Sequence, residues 1–168
     1  MPCSHLYAHH LSTVSAALAT IRDIRTHTYL GTLAWCLKQS SDIAHVHADL
    51  IVNALRELDG ITERASKRGH RLIAARFREA TQALHTAALY NPHYQVWDGD
   101  RFAVCESHAT RWVVCNGHGI YWIVVGEPDA YHVVSDSKRL DPGSEEASLA
   151  VYLVGQAKAN RAELNGIV

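Results

Sequence analysis

The sequence predicts an α+β fold: N-terminal helices, three of them main ones, then a four- to five-stranded antiparallel β-meander and a C-terminal helix. Apolar residues recur at helical spacing before Asn91-Pro92, and beyond it short strand-like segments alternate with turn residues. The chain has 168 residues, of which 48% are hydrophobic, enough for one domain with a sizeable core. We expect a single domain over 1–168, with a helical half at 1–91 and the sheet plus last helix at 92–168.

The first predicted helix runs from about Leu11 to Leu37. Its apolar residues form two stripes along one side, at the three- and four-residue spacing of a helix. The residues between the stripes, among them Thr28 and Gly31, are weak helix formers. They predict a kink or a break in this helix.

Two further main helices are predicted. Ser40-Ser41-Asp42 is an N-cap site for the second, which Gly60 is expected to end, and a polar segment over 62–68 then leads to Gly69. The third is expected over 71–90. The inward-facing residues of the second helix are predicted to be Ile43, His47, Leu50, Ile51, Ala54, Leu55 and Leu58. Those of the third helix are predicted to be Ile73, Phe77, Ala80, Leu84 and Ala87.

The second half of the sequence is predicted to form strands joined by short turns. Asp98-Gly99-Asp100 and Asn116-Gly117-His118-Gly119 are the hairpin signals. Acidic residues suit the start of a last helix, over about Glu145 to Leu164. The predicted strands are Tyr94–Trp97, Arg101–Cys105, Arg111–Cys115, Ile120–Val125 and Ala130–Ser135.

Two of these strands are apolar on both faces. Residues 112–115 and 120–125 contain apolar residues without alternation, and such strands are covered on both sides. The helices of the chain are expected to supply the cover. Self-association as a homo-oligomer, through the sheet or the first helix, is the alternative way to bury this surface.

Composition excludes several classes of protein. The formal net charge of −1 gives no global preference for an anionic partner. No window approaches 18 consecutive apolar residues, so no membrane span is expected. Four cysteines without a C-x-x-C pair, and no basic residue before the first apolar stretch, favour reduced thiols in a cytoplasm. Twelve arginines against four lysines are typical of GC-rich bacterial genomes.

No metal or cofactor is predicted. If the chain held a metal, the N-terminal group Cys3, His5, His9 and His10 would be the site, because His5 and His9 have the i, i+4 spacing at which two imidazoles face one ion. The first residues of a chain are usually mobile, however, and no second ligand pair has a recognisable spacing.

A small hydrolase is the alternative function, phosphodiesterase-like and either histidine-based or metal-dependent. Cys115 stands beside a glycine-rich turn that carries His118, and a cysteine nucleophile needs such a base and a third group to orient it. Two H-x-[ST] motifs, at His10 and His108, are about as many as chance provides. The residues that would carry catalysis are His108, His118, His132, Asp136 and Cys115, with Cys105 as the other thiol.

A further carboxylate–histidine group has a structural explanation. Asp42, His45 and Asp49 stand at i, i+3 and i+7, so they share one side of a helix. A carboxylate beside a histidine can set its tautomer for base catalysis. Every amphipathic helix nevertheless needs a polar side, and we assign these residues to a solvent-exposed face.

A basic stretch is the strongest surface signal. Between Glu63 and Glu79, six Lys and Arg oppose two acids. Such a stretch binds an acidic protein surface or phosphates, and no helix-turn-helix or RNP-like signature accompanies it, so nucleic acid is the less favoured partner. The predicted binding residues are Arg64, Lys67, Arg68, Arg71, Arg76 and Arg78.

The function that these observations favour is non-enzymatic. There is no P-loop, dinucleotide fingerprint, nucleophile elbow or zinc-protease motif in the sequence. We expect a binding or regulatory protein that acts through protein–protein contacts. Inhibitors of bacterial defence complexes from phages and mobile elements have this character. A nucleic-acid-binding accessory protein is the third hypothesis.

Overall fold

The computed structural model describes residues 8–39, 43–127, 130–136 and 145–166. The helices among them are α1 (Ala8–Leu18), α2 (Thr28–Gln39), α3 (Ala48–Lys67), α4 (Arg71–Ala88) and α5 (Glu145–Gly166). The strands are β1 (Tyr94–Trp97), β2 (Asp100–His108), β3 (Arg111–Asn116), β4 (Tyr121–Val125) and β5 (His132–Asp136). They form one antiparallel sheet in sequential order. The α+β prediction is confirmed.

The chain divides into two compact units. The helical unit comprises Met1–Val46 and Leu50–Asn91, and the sheet unit comprises His47–Asp49 and Pro92–Val168. The main boundary coincides with the change of sequence pattern at Asn91-Pro92. That the chain works as a single domain stays a prediction. None of the described helices is long and apolar enough to cross a membrane.

The helical unit is built around leucine and isoleucine side chains. α1 packs against both α2 and α4. Two polar contacts close the loops: the Asn91 amide donates to the carbonyl groups of Ile43 and Val46 at 2.8 and 2.7 Å, and the Glu57 carboxylate accepts the Leu30 amide at 2.9 Å. The latter satisfies a donor that the first turn of α2 leaves without a helical partner. The largest fully buried side chains of this unit are Leu18, Leu30, Leu33, Ile43, Ile51, Leu55, Leu58 and Leu84.

The predicted first helix is two helices in the structure. α1 ends at Leu18, and a short 3-10 turn at Ile24–Thr26 precedes α2. Gly31 lies inside α2, where a Cβ would stand 3.1 Å from the Ile24 carbonyl oxygen. The glycine therefore allows the turn to approach α2 closely, and the break falls before it. The predicted N-cap at residues 40–42 lies outside the described residues.

Gly60 does not end the second main helix, contrary to the prediction. α3 continues through it to Lys67, because a glycine inside a helix costs only about 1 kcal/mol. Gly69 ends the helix, with φ of 74°. His70 donates to the Ala65 carbonyl and Gly69 to the Ser66 carbonyl, which is the Schellman arrangement.

One face of the sheet packs against α5, and we call it the α5 face. Trp112, Val114, Trp122 and Val124 project from it and are at most 4% exposed, as predicted. The indole N–H groups of both tryptophans are buried without a hydrogen-bond partner among the described residues. The core cluster comprises Phe102, Val104, Trp112, Val114, Trp122 and Val124 from the sheet, and Ala150, Leu153, Val154 and Ala157 from α5.

The opposite face carries Cys105, Val113, Cys115 and Ile123, and we call it the thiol face. In the register, Cys105 pairs with Val113 and Val113 with Ile123, while Cys115 stands two residues further along β3. These side chains are half-buried. The two thiols are therefore diagonal neighbours on one face.

We predict that Leu153→Ala destabilises the sheet unit by about 2–5 kcal/mol, because it removes a side chain that is 2% exposed beneath the sheet. Val134→Ala is the matched control, since Val134 is 55% exposed in β5. Urea unfolding followed by tryptophan fluorescence measures both, because Trp97, Trp112 and Trp122 all lie in this unit. Equal midpoints for the two variants would contradict the packing of α5 on the sheet.

The half-buried His93 gives the sheet unit a pH dependence. Its Nδ1 lies 2.9 Å from the Val104 carbonyl oxygen, and because a carbonyl only accepts, this nitrogen carries the proton. Burial lowers the pKa of His93, and the positive charge of Arg161 lowers it further. The bond to Val104 and the charge of Glu106 oppose this, while a charged His47 acts in the same direction as Arg161.

We predict that the free energy of unfolding falls when the pH drops below about 6.5, the ordinary histidine value. The folded pKa of His93 is below the unfolded one, so its contribution is complete above that pH and is lost as the pH falls through the folded pKa. One proton gives a slope of at most about 1.4 kcal/mol per pH unit. His93→Asn keeps a donor for Val104 and should flatten the curve between pH 7 and 5. His132→Asn, at an exposed histidine, should leave it unchanged; a steep curve in His93→Asn refutes the assignment.

Candidate functional site

The turn between α3 and α4 places a cluster of cations at the end of a helical hairpin. Gly69 reverses the chain within three residues, so the last turn of α3 and the first turn of α4 lie side by side. All six predicted binding residues are exposed. The next two residues after Arg71 are also exposed, Leu72 at 88% and Ile73 at 45%.

The six cations do not share one face. Helical geometry places Arg71 and Arg78 within about 20° of each other around α4, and Arg76 about 140° from Arg71. Arg78 lines a groove of about 330 Å³ between α3 and α4, together with Asp59, Thr62, Glu63, Ser66 and Thr81. Arg76 and Arg78 therefore face different surroundings.

Lys67 forms an ion pair with Glu63 at 2.8 Å. Its hydrogen bond and charge lower the pKa of the Glu63 carboxyl. Both side chains are exposed, so the pair is screened by solvent and contributes little to stability. It also leaves the Lys67 ammonium partly neutralised at the surface.

The cations nearest the end of the hairpin are Arg64, Arg68 and Arg71. Arg64 and Arg68 stand at i and i+4 and so lie on one side of α3. We define the basic tip as these three arginines together with Leu72 and Ile73. It combines fixed positive charge with exposed apolar area at one place.

The predicted hydrolase residues are dispersed over the sheet. His108 ends β2 and His118 lies in the turn after β3, so the length of β3 separates them by about 17 Å. His108, Arg111, Val125 and His132 stand in one row across four strands, which places the two histidines about 14 Å apart. Each of the three histidines is exposed.

Cys115 and Asp136 belong to different rows of the sheet. Cys115 pairs with Tyr121, whereas Asp136 pairs with Trp122. β4 also lies between their two strands, which are therefore about 10 Å apart. The strand pairing therefore places none of His108, His132 and Asp136 at a position neighbouring Cys115.

The N-terminal metal prediction is only partly covered by the structure. Cys3 and His5 lie outside the described residues. His9 and His10 are consecutive residues in the first turn of α1, with ring centroids 5.8 Å apart. The i, i+4 pair on which the prediction depends, His5 and His9, is therefore not tested, and the N-terminal site stays a prediction.

The structure does gather one group of metal-binding side chains, which the sequence patterns missed. One ligand atom from each of His47, Asp49 and Cys105 lies within 4.8 Å of the ligand atoms of the other two. His47 Nδ1 lies 3.8 Å from Asp49 Oδ1. The sequence predicts that His47 faces inward, whereas its side chain is 84% exposed. It predicts that Asp49 faces solvent, whereas Asp49 lies beside the Cys105 thiol. No spacing motif connects Cys105 to His47 and Asp49, which precede it by more than fifty residues.

The environment of the two thiols on the thiol face, Cys105 and Cys115, does not favour nucleophilic attack. Burial and the Asp49 carboxylate raise the pKa of Cys105 to about 11, and only a hydrogen bond from the Asp49 backbone amide opposes this. Burial and the same carboxylate raise the pKa of Cys115. A nucleophilic cysteine needs the opposite, a lowered pKa beside a cation or base. The arrangement therefore does not favour a cysteine hydrolase.

No family model matches this sequence, and no curated protein or solved structure is significantly similar to it. Its function is therefore inferred from its own residues. Two groups stand out from the ordinary surface: the basic tip in the helical unit, and the cluster of His47, Asp49 and Cys105 in the sheet unit.

We predict that Cys105 reacts slowly with iodoacetamide at pH 7.5. With a pKa of about 11 instead of 9.0, its reactive thiolate form is about 100-fold less populated at that pH. The rate should rise about tenfold per pH unit up to pH 10, as measured by mass spectrometry of the Cys105 peptide. Rapid alkylation at pH 7.5, comparable to that of a free thiol in solution, would show an activated cysteine and revive the hydrolase hypothesis.

Proposed function

We propose that this protein is a non-enzymatic binding protein whose basic tip docks on an acidic surface of another protein. The observation that carries the proposal is the 88% exposure of Leu72, next to Arg71 and on the same hairpin turn as Arg68. A single exposed leucine is ordinary. An exposed Leu-Ile pair flanked by cations is the composition of a contact site, with an apolar centre and a charged rim.

Leu72 and the arginines would contribute differently to binding. Burying a leucine side chain contributes up to about 1.5–3 kcal/mol, which acts mainly on the dissociation rate. Surface charges act mainly on the association rate and on the choice of partner. The proposed partner therefore offers a small apolar pocket whose rim carries Asp and Glu.

The start of α4 strengthens the preference for a negatively charged partner. Its first turn contains no acidic residue, and the His70 side chain makes no capping hydrogen bond. The positive end of the helix dipole thus adds to the charges of Arg68 and Arg71. Phosphates of a nucleic acid would also meet this charge, but they gain nothing from Leu72 and Ile73. The apolar pair favours a protein.

The free thiols support a reducing compartment. Cys36, Cys105 and Cys115 form no disulfides among the described residues. Protein thiols persist in this form in the cytoplasm. We therefore propose a cytoplasmic partner. Inhibition of a bacterial defence complex, and self-association of the chain, stay predictions.

We predict that the double reversal Arg68→Glu/Arg71→Glu weakens binding to the partner about 10- to 100-fold at physiological salt, mainly through the association rate. The partner is first captured from nuclease-treated extract of the source cell and then purified, and surface plasmon resonance at several salt concentrations gives both rates. Leu72→Asp should raise the dissociation rate instead. Thermal stability should change little, because surface substitutions shift it by about 0.5 kcal/mol or less.

Arg22→Glu/Arg25→Glu is the matched control, with the same charge change on two exposed arginines elsewhere in the helical unit. It should bind as the original chain does. Equal loss in both double variants would mean that net charge matters and the basic tip does not. A partner that is captured from untreated extract but not from nuclease-treated extract would replace the protein partner by a nucleic acid.

A further inference from the structure

The N-terminal turn of α3 meets the thiol face of the sheet within the sheet unit. Asp49 lies in the first turn of α3, and its backbone amide donates to the Cys105 sulfur. The Asp49 carboxylate acts electrostatically on both Cys105 and Cys115. His47 precedes the helix, with Nδ1 3.8 Å from Asp49 Oδ1. Three ligand-type side chains, His47, Asp49 and Cys105, therefore converge, and Cys115 is the diagonal neighbour of Cys105 on the same face.

We propose that His47, Asp49, Cys105 and Cys115 form a binding site for a single zinc ion. This site shares no residue with the basic tip and is independent of the proposed partner binding. It also differs from the N-terminal group of histidines that the sequence singled out.

The distances are close to those of a zinc site. In tetrahedral zinc coordination, with bonds of about 2.0–2.3 Å, neighbouring ligand atoms stand about 3.3–3.8 Å apart. The atoms of His47, Asp49 and Cys105 lie within 4.8 Å of each other, and the His47–Asp49 pair is already at 3.8 Å. Side-chain rotations that bring these three ligand atoms about 1 Å closer together would give the separations of a zinc site. Cys115 lies next to Cys105 on the same face and supplies the fourth.

The donor atoms select the class of metal. Two sulfurs, an imidazole nitrogen and one carboxylate oxygen suit zinc, whereas magnesium and calcium require sites made mainly of oxygen. Four protein ligands leave no open position for a substrate water, which is typical of a structural zinc site. The ion would tie the start of α3 to β2 and β3.

The charges of the ligands also suit a divalent ion. Two thiolates and one carboxylate give −3, so a divalent zinc leaves a net charge of −1 at the site. The positive end of α3 and the Asp49 amide stabilise this residual negative charge. Binding replaces two thiol protons by the metal, which releases both to solvent.

Cobalt(II) titration of the full chain, purified without a histidine tag and stripped with EDTA, tests the site. Cobalt(II) substitutes for zinc, and a thiolate ligand gives a charge-transfer band in the near ultraviolet. We expect one cobalt per chain with this band and with the intense visible bands of tetrahedral cobalt. Zinc should displace the cobalt and raise the melting temperature of the chain.

Variants identify the ligands. Cys105→Ser and His47→Ala should each lower cobalt affinity about 100-fold or more, and Cys115→Ser should lower it and weaken the charge-transfer band. Cys36→Ser is the matched control at a half-buried thiol in α2 and should bind as the original does. Circular dichroism of each metal-free variant shows that it is folded.

Three results would overturn the proposal. One is the absence of a thiolate band at saturating cobalt. Another is full binding by Cys105→Ser with loss in His9→Ala/His10→Ala, which would move the metal to the predicted N-terminal group. The third is unchanged binding by Cys115→Ser, which would refute the four-ligand site.

Discussion

Side chains of a strand alternate between two faces, and the register of β2, β3 and β4 therefore decides both what the sheet unit buries and what it presents. Val104, Val114 and Trp122 stand in one row and face α5. The positions beside them, Cys105 and Cys115, take the opposite face. A slip of one residue would exchange the two sets. The apolar core and the pair of thiols are thus two consequences of the same pairing.

The α5 face depends most on Trp112 and Trp122. Each buried tryptophan removes about 200 Å² from water, which stabilises the fold by about 5 kcal/mol. Each buried indole N–H without a partner costs about 1–3 kcal/mol, so burial outweighs the loss. α5 meets these rings with Ala150 and Ala157, whose small side chains let the helix approach closely. A larger residue there would overpack the interface.

Local signals in the sequence were sufficient for the sheet, because alternation and turn residues lie within a few positions of each other. β1 and β3 begin at the predicted residues, and the predicted helix over 71–90 matches α4 closely. The end of α3 was missed because the sequence offers two glycines as stops: α3 passes through Gly60 and ends where Gly69 adopts positive φ. The cluster of His47, Asp49 and Cys105 matched no spacing motif, because Cys105 is distant from His47 and Asp49 in the chain. Their proximity exists only after β2 and the start of α3 have folded into the sheet unit.

In the proposed function, the residues that would bind a partner contribute little to the fold. Ile73 continues the apolar stripe that buries Phe77 and Leu84, yet it is 45% exposed. The apolar stripe of α4 thus extends beyond the core of the helical unit, and part of the Ile73 side chain stays in contact with water after folding. Leu72 lies outside the stripe and is almost fully exposed, so no packing argument explains it. Because Leu72 does not support the core, the proposed binding and the stability of the fold can be separated by substitutions at Leu72, whereas substitutions at the buried Phe77 would affect stability.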